Sequence, residues 1–253
     1  MFGATIMKRT LMTALCFCVT LSVHAQDATE IVRKSNDVLR GKKTYSVITM
    51  TIVKPTWRRT VSMKVWSIEP DYSIVSITEP ARDKGSVTLK RKNEVWNWLP
   101  SVQKTVKIPP SMMLASWMGS DFTNDDLVRQ SSIVDDYTHA LLGEEQLEGY
   151  QCYKIQLVPT PEAGVVWGRI LAWISKKEFM QLKLEFYDED GALVRTMVGS
   201  KPKDFGGHLL PSYSEMIPHN RPGNRTTFET KVLVFDPDIA HDFFSFQNMS
   251  RVR

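Results

Sequence analysis

From Thr44 to Phe235 the chain repeats its apolar residues with a period of two, and turn signals interrupt that pattern at short, regular intervals. A period of two is the signature of half-buried strands. The pattern predicts strands at residues 44–54, 57–68, 71–78, 86–92, 94–99 and 103–108. After a break it resumes at 137–147, 150–158, 165–175, 180–188, 192–200, 208–217 and 225–235. Asp190-Gly191 between two alternating runs is a hairpin signal, and Glu148-Gly149 and Phe205-Gly206-Gly207 act in the same way. No strand–helix–strand alternation is present, so the sheet is expected to be antiparallel and locally connected. About a dozen such strands cannot lie flat without exposing a large apolar face, which favours a barrel or half-barrel that encloses a cavity.

Helical signals are few. Residues 27–40 form one amphipathic helix with Ile31, Val32, Ser35, Val38 and Leu39 on a narrow stripe, stopped by Gly41. Residues 124–134 are expected to add one or two turns. The fold class is therefore mainly β with few helices (α+β). In 180–186, Met180, Leu182, Leu184 and Phe186 alternate with Gln181 and Lys183, a strand with one greasy and one wet side.

One segment departs from the pattern. After Trp96 and Trp98, which share a strand face, Leu99-Pro100 and then Pro109-Pro110 break the strands. A Met-rich patch follows, with Met112, Met113, Leu114, Trp117 and Met118, closed by Gly119-Ser120-Asp121-Phe122. Large soft side chains directly after a double proline suggest a flap over an apolar cavity. Methionines adapt to varied apolar shapes, and tryptophans supply contact area. Trp96, Trp98 and Trp117 are expected at the cavity mouth. Lys104 and Lys107, on the short basic strand between the breaks, read as a solvated face.

Residues 1–25 read as a cleavable export signal. Lys8-Arg9 is followed by an apolar run over 11–23 and by Ala25, so cleavage is expected after Ala25 and a single domain over 26–253. Cleavage would remove Cys16 and Cys18, leaving Cys152 as a buried apolar residue without a disulfide partner. The formal charge of +4 would fall to +2 with the loss of Lys8 and Arg9, a balance that gives no support to nucleic-acid binding.

No catalytic constellation stands out. His139, His208, His219 and His241 lack metal-ligand spacing, and no HExxH, CxxC or GxSxG sequence occurs. The expectation is a chain without metal, cofactor or catalytic residue. Asp121, Asp125, Asp126, Asp135 and Asp136 cluster around the flap. A calcium or acid–base role is weighed there against helix capping by Asp121 or Asn124, and capping is preferred.

The order Trp96-x-Trp98-Leu99-Pro100, then Lys104 and Lys107, then Met118-Gly119-Ser120-Asp121-Phe122 and Asp126-Leu127, resembles the bacterial outer-membrane lipoprotein-sorting proteins of the LolA/LolB-like carrier superfamily. The opening helix and the C-terminal run from Phe235 to Ser245 fit the same pattern. The resemblance implies an unclosed antiparallel β-barrel with an α-helical lid over a hydrophobic cavity. It also implies a monomeric periplasmic carrier whose cavity holds the acyl chains of a lipoprotein or a phospholipid. An inner-membrane exporter and an outer-membrane acceptor would then be its donor and acceptor partners. A non-carrier adaptor of an envelope export system and a secreted hydrolase are the alternatives.

Overall fold

Thirteen antiparallel strands form one continuous sheet in the computed structural model, which describes residues 19–129 and 133–252. The first meander contains β1 (Lys43–Lys54), β2 (Trp57–Ile68), β3 (Tyr72–Glu79), β4 (Val87–Arg91), β5 (Glu94–Leu99) and β6 (Lys104–Lys107). The second contains β7 (Tyr137–Leu147), β8 (Tyr150–Pro159), β9 (Arg169–Ser175), β10 (Gln181–Tyr187), β11 (Leu193–Asp204), β12 (Leu209–Pro218) and β13 (Arg225–Phe235). Pairing of β1 with β13 joins the two meanders, and β6 and β7 remain as the two edges. The sheet is therefore not closed, and the fold is an unclosed half-barrel, as the period-two pattern and the resemblance both suggest.

The strand registers divide the first meander into two faces with different partners. Trp66, Ile74, Leu89 and Trp96 stand opposite one another from β2 to β5. This row, with Ile68 and Val87, packs under a C-terminal tail that supplies Ile239, Phe244, Met249 and Val252. The tail contains a 3₁₀ turn at His241–Phe243 and the short helix α3 (Phe246–Met249). The other face carries Met50, Ile52, Val61, Met63, Val75 and Ile77, which pack with Trp117 of the flap.

The second meander repeats this division. Its inner face joins Ile155, Leu157, Ile170, Ala172, Leu184, Phe186 and Met216 to Ala28 and Val32 of α1 (Val19–Arg40). Burial of Ala28, Val32 and Ser35 at helical spacing sets which side of α1 meets the sheet. His139 of β7 helps to hold the helix there. Its Nδ1 lies 3.1 Å from the Thr29 hydroxyl and its Nε2 lies 3.0 Å from the Ile133 carbonyl, and burial holds its pKa below the ordinary histidine value.

Three local expectations are corrected and one is met. The helix expected over 27–40 begins at Val19, so it includes part of the segment read as a leader; residues 1–18 lie outside the described residues. The strand expected from 165 begins at Arg169, because Gly168 crosses the backbone of Asp188 so closely that a Cβ there would lie 2.3 Å from the Asp188 carbonyl oxygen. The one or two turns expected within 124–134 are present as α2 (Asn124–Arg129), and residues 130–132 lie outside the described residues. Finally, the greasy side of residues 180–186 is split. The β10–β9 register shifts between Gln181 and Lys183, so Met180 and Leu182 pack with Cys152 and Trp173 while Leu184 and Phe186 turn to the inner face. Cys152 itself is fully buried, and burial raises its thiol pKa.

Candidate functional site

The flap runs from Pro109 into α2 and is knitted by its own backbone. It contains 3₁₀ turns at Pro110–Met112 and Trp117–Gly119 and a bridge between Ser116 and Thr123. Met118 and Gly119 adopt left-handed φ values of 53° and 77°, and so reverse the chain. The Ser120 hydroxyl donates to the Trp117 carbonyl at 2.7 Å and accepts from the Phe122 amide at 3.1 Å. The Asn124 side chain donates to the Met112 carbonyl at 3.0 Å.

Two buried ion pairs pin this flap to the sheet. Asp121, whose side chain is fully buried, receives Lys54 of β1 at 2.6 Å and the Thr226 hydroxyl of β13 at 2.8 Å. The Asp121 amide in turn donates to Thr226 Oγ1 at 2.9 Å. Asp126 receives both terminal nitrogens of Arg195 of β11, at 2.6 and 2.9 Å. The Arg195 guanidinium also lies 4.5 Å from the Trp167 ring centre and 4.6 Å from that of Phe186. Burial pushes the Asp126 carboxyl up, but the Arg195 bonds and charge, with further bonds from Thr123, hold it below the ordinary aspartate value. A third contact joins the Arg59 guanidinium to the Met118 carbonyl at 3.5 Å.

Capping is present, but at a residue that the sequence reading did not choose. Thr123, not Asp121 or Asn124, exchanges bonds with Asp126: its hydroxyl accepts from the Asp126 amide at 3.1 Å, and Asp126 accepts from the Thr123 amide at 2.8 Å. This is the reciprocal capping box of a helix start. Asp121 is instead an anchor of the flap.

Beneath the flap two adjoining cavities share Leu39, Arg40, Phe122, Asp126 and Met197 in their walls. One, of about 370 Å³, lies on the inner face of the first meander and is lined by Ile48, Met63, Val65, Val75, Trp117 and Phe228. The other, of about 220 Å³, lies against the second meander, with Val165, Val166, Trp167, Ile170, Leu184 and Phe186. Val165, Val166 and Trp167, expected in a strand, stand instead in the wall of this cavity. A third hollow, of about 460 Å³, lies outside, under the C-terminal tail, and mixes Ile239 and Phe243 with Asp238, Asp242 and Arg251.

The structure gathers some of the expected lining residues and disperses others. Trp117 and Phe122 are buried and face the cavities, Leu114 is exposed at the rim of the smaller one, and Met118 packs beside Trp117. Met113 is half-buried and its carbonyl accepts from the Asp125 amide, whereas Met112 is exposed. Trp96 and Trp98 are not at the cavity mouth. They lie on the outward face, where Trp96 meets Phe246 with ring centres 5.0 Å apart. Their two-residue spacing did fix a common face, but only the register with Leu89 and Val87 shows which face it is. Leu99 and Pro100 form an exposed turn, Lys107 pairs with Glu94, and Lys104 is exposed. Of the remaining motif residues, Gly119 and Ser120 shape the reversal and Asp121 and Asp126 anchor it, while the Leu127 side chain lies outside the described residues.

Sequence reasoning missed Lys54, Arg195 and Thr226. Each lies on a strand far from the flap in sequence, and only the folded sheet brings it to Asp121 or Asp126. Among the described residues, no helix is long and apolar enough to cross a membrane, and no group of three or more His, Cys, Asp or Glu side chains could hold a metal ion.

A family model described as "Uncharacterized protein" matches residues 69–251. No curated protein matches the sequence. Among solved structures, a DUF1329 family protein from Desulfovibrio piger ATCC 29098 aligns with a TM-score of 0.81 at 23% identity, covering 89% of this chain and 99% of that one. A putative outer membrane lipoprotein-sorting protein domain from Vibrio parahaemolyticus aligns at 0.78 and 22% identity, covering 90% and 100%. A LolA superfamily protein from Nitrosomonas europaea aligns at 0.72 and 22% identity, covering 87% and 98%. At these identities the likeness is one of fold. The chain belongs to the family whose model spans residues 69–251, and its fold is that of the LolA superfamily and of outer-membrane lipoprotein-sorting domains.

Proposed function

We propose that this chain is a non-catalytic carrier that holds the acyl chain of a lipoprotein or lipid between its half-barrel and its flap, in the periplasm of a cell with an outer membrane. The observation that carries this reading is the pair of adjoining cavities, walled mainly by apolar side chains and roofed by Trp117 and Phe122. The larger has a volume in the range of small-molecule sites. Each buried CH₂ of a guest contributes about 0.8 kcal/mol, so one acyl chain binds usefully without a covalent or metal anchor. The flap motif then has a mechanical role. Asp121 and Asp126 hold the roof through Lys54 and Arg195, and both carboxylates are engaged in ion pairs, which fits positioning better than acid–base chemistry. The likeness of fold to lipoprotein-sorting domains supports the same reading. An inner-membrane exporter as donor and an outer-membrane acceptor complete the proposed route.

The test is native mass spectrometry of the protein purified from an envelope fraction without detergent. The expected spectrum shows one added mass that collisional activation releases as a phospholipid or acylated peptide. A spectrum of empty protein, unchanged after incubation with phospholipid vesicles, contradicts the carrier reading and leaves the adaptor alternative.

A further inference from the structure

Four turns of the sheet come together at one end of the half-barrel, the end at which Asp121 of the flap is anchored. They are the β1–β2 hairpin at Pro55-Thr56, the loop from β3 to β4, the turn from β5 to β6 and the loop from β12 to β13. Three contacts join them in a row. A Cβ on Gly223, in the last of these loops, would lie 3.3 Å from the Pro55 ring. Arg59, beside the hairpin, holds Asp83 of the β3–β4 loop at 2.6 Å. Gly85 of that loop faces the β5–β6 turn, where its Cβ would lie 3.8 Å from the Pro100 ring.

This end face combines two properties. It holds large apolar side chains in solvent: Trp57 is 45% exposed and Val102 is 55% exposed, with Leu99 exposed in the same turn as Val102. None of the three belongs to a core cluster among the described residues. The face is also basic. Arg58, Lys84, Lys104 and Arg221 are exposed, one on or beside each turn, and among the described residues none of them has an ion-pair partner. The acidic residues of these turns are Glu79 and Asp83. Asp83 is engaged by both Arg59 and Arg82, and the strand-end cations Lys54 and Arg225 pair with Asp121 and Glu215. Glu79, which accepts from the Ser62 hydroxyl at 3.0 Å, is left to face four unpaired cations. The acidic run Asp188-Glu189-Asp190 lies at the same end but joins β10 to β11, three or more strands from β1 and so ~14 Å or more along the sheet.

We propose that this end docks on a bilayer surface rich in anionic phospholipid. Trp57, Leu99 and Val102 enter the head-group layer, and Arg58, Lys84, Lys104 and Arg221 meet its phosphates. Tryptophan favours that layer because its ring is apolar while its indole N–H finds acceptors there. Cations close to an anionic surface add an attraction that salt screens. Separate apolar tips on adjoining turns suit a deformable layer, whereas a rigid partner would need a matching groove for each. Arg221 and the exposed Leu114 also line the smaller cavity, so docking would bring the rim of that cavity to the membrane. The docking face stands on its own residues and goes beyond the carrier reading.

Co-sedimentation of the full chain with vesicles tests this. Vesicles of phosphatidylethanolamine and phosphatidylglycerol are expected to bind at least about tenfold more tightly than phosphatidylcholine vesicles, with a difference that shrinks as salt rises. Arg58→Glu with Lys84→Glu is expected to weaken binding to the anionic vesicles at least about tenfold, and Trp57→Ala about fivefold or more. Lys42→Glu with Lys177→Glu reverses two exposed cations at the opposite end of the sheet and is expected to bind as the wild type does. Near-ultraviolet circular dichroism checks the fold of each variant. Val65→Phe, which fills the larger cavity, is also expected to sediment as the wild type does, so failure of docking and failure of the carrier reading are told apart. Absence of sedimentation with anionic vesicles, equal sedimentation with both vesicle types, or equal loss in the two double variants overturns the proposal.

Discussion

Asp126→Ala is expected to lower the unfolding free energy by about 3–5 kcal/mol, the usual cost of removing one partner from a buried ion pair. The side chain of Arg195 is 9% exposed and lies against Trp167 and Phe186, so it would retain its charge with no carboxylate to receive its two terminal nitrogens. The same substitution removes the capping bond to the Thr123 amide. Urea unfolding followed by tryptophan fluorescence measures the change. The double variant Asp126→Ala with Arg195→Met is expected to recover part of the loss, because it removes the stranded charge as well. The effect also has a pH signature. The folded pKa of Asp126 is depressed, so its contribution is complete above the unfolded value of about 3.9 and is lost as pH falls through the folded value. The gap between wild type and Asp126→Ala should therefore be widest near neutrality and close in acid. A gap that stays constant across that range contradicts the assignment.

Trp117→Ala is expected to cost about 3–5 kcal/mol as well, the range for truncating a buried large aromatic side chain. Trp117 is 4% exposed and packs with Met50, Ile52, Val61 and Met63 beside the larger cavity. It lies beside the chain reversal at Met118-Gly119, so truncation removes the roof as well as core contacts. Retention of a bound acyl probe is expected to fall even where the β-sheet circular dichroism is unchanged. Faster dissociation with a lower thermal midpoint supports the role of the flap as a lid. A lower midpoint with unchanged dissociation assigns Trp117 to the core alone.

The strand pattern was legible because it is local. An alternation of Val, Ile, Thr and Trp between turn residues specifies a strand wherever it occurs, and β2, β5, β7 and β13 have the ends that the pattern suggests. Strand faces were legible in pairs but not in absolute sense. Trp96 and Trp98 share a side by spacing, yet whether that side meets the flap or the C-terminal tail depends on the tail, whose Phe244 and Met249 carry no periodic signal. Local irregularities were hidden for a different reason. The shift between Gln181 and Lys183 and the late start of the strand expected from 165 both arise at contacts with neighbouring chain. The flap was legible as a segment of unusual composition. Its anchors were not, because Lys54, Arg195 and Thr226 meet Asp121 and Asp126 across sequence separations of 67 to 105 residues.

If the space beneath the flap holds the guest, filling that space weakens binding. Val65 faces the larger cavity between Ser46 and Val75, so Val65→Phe projects added bulk into it. Overpacking of this kind costs about 1–3 kcal/mol, which leaves room for a folded variant. The measurement is displacement of a fluorescent acyl probe from wild type and from Val65→Phe, with near-ultraviolet circular dichroism confirming the fold of each. One saturable site is expected in the wild type, with affinity at least about tenfold weaker in the filled variant, equivalent to a loss of ~1.4 kcal/mol. Equal affinity in the two folded proteins would contradict it.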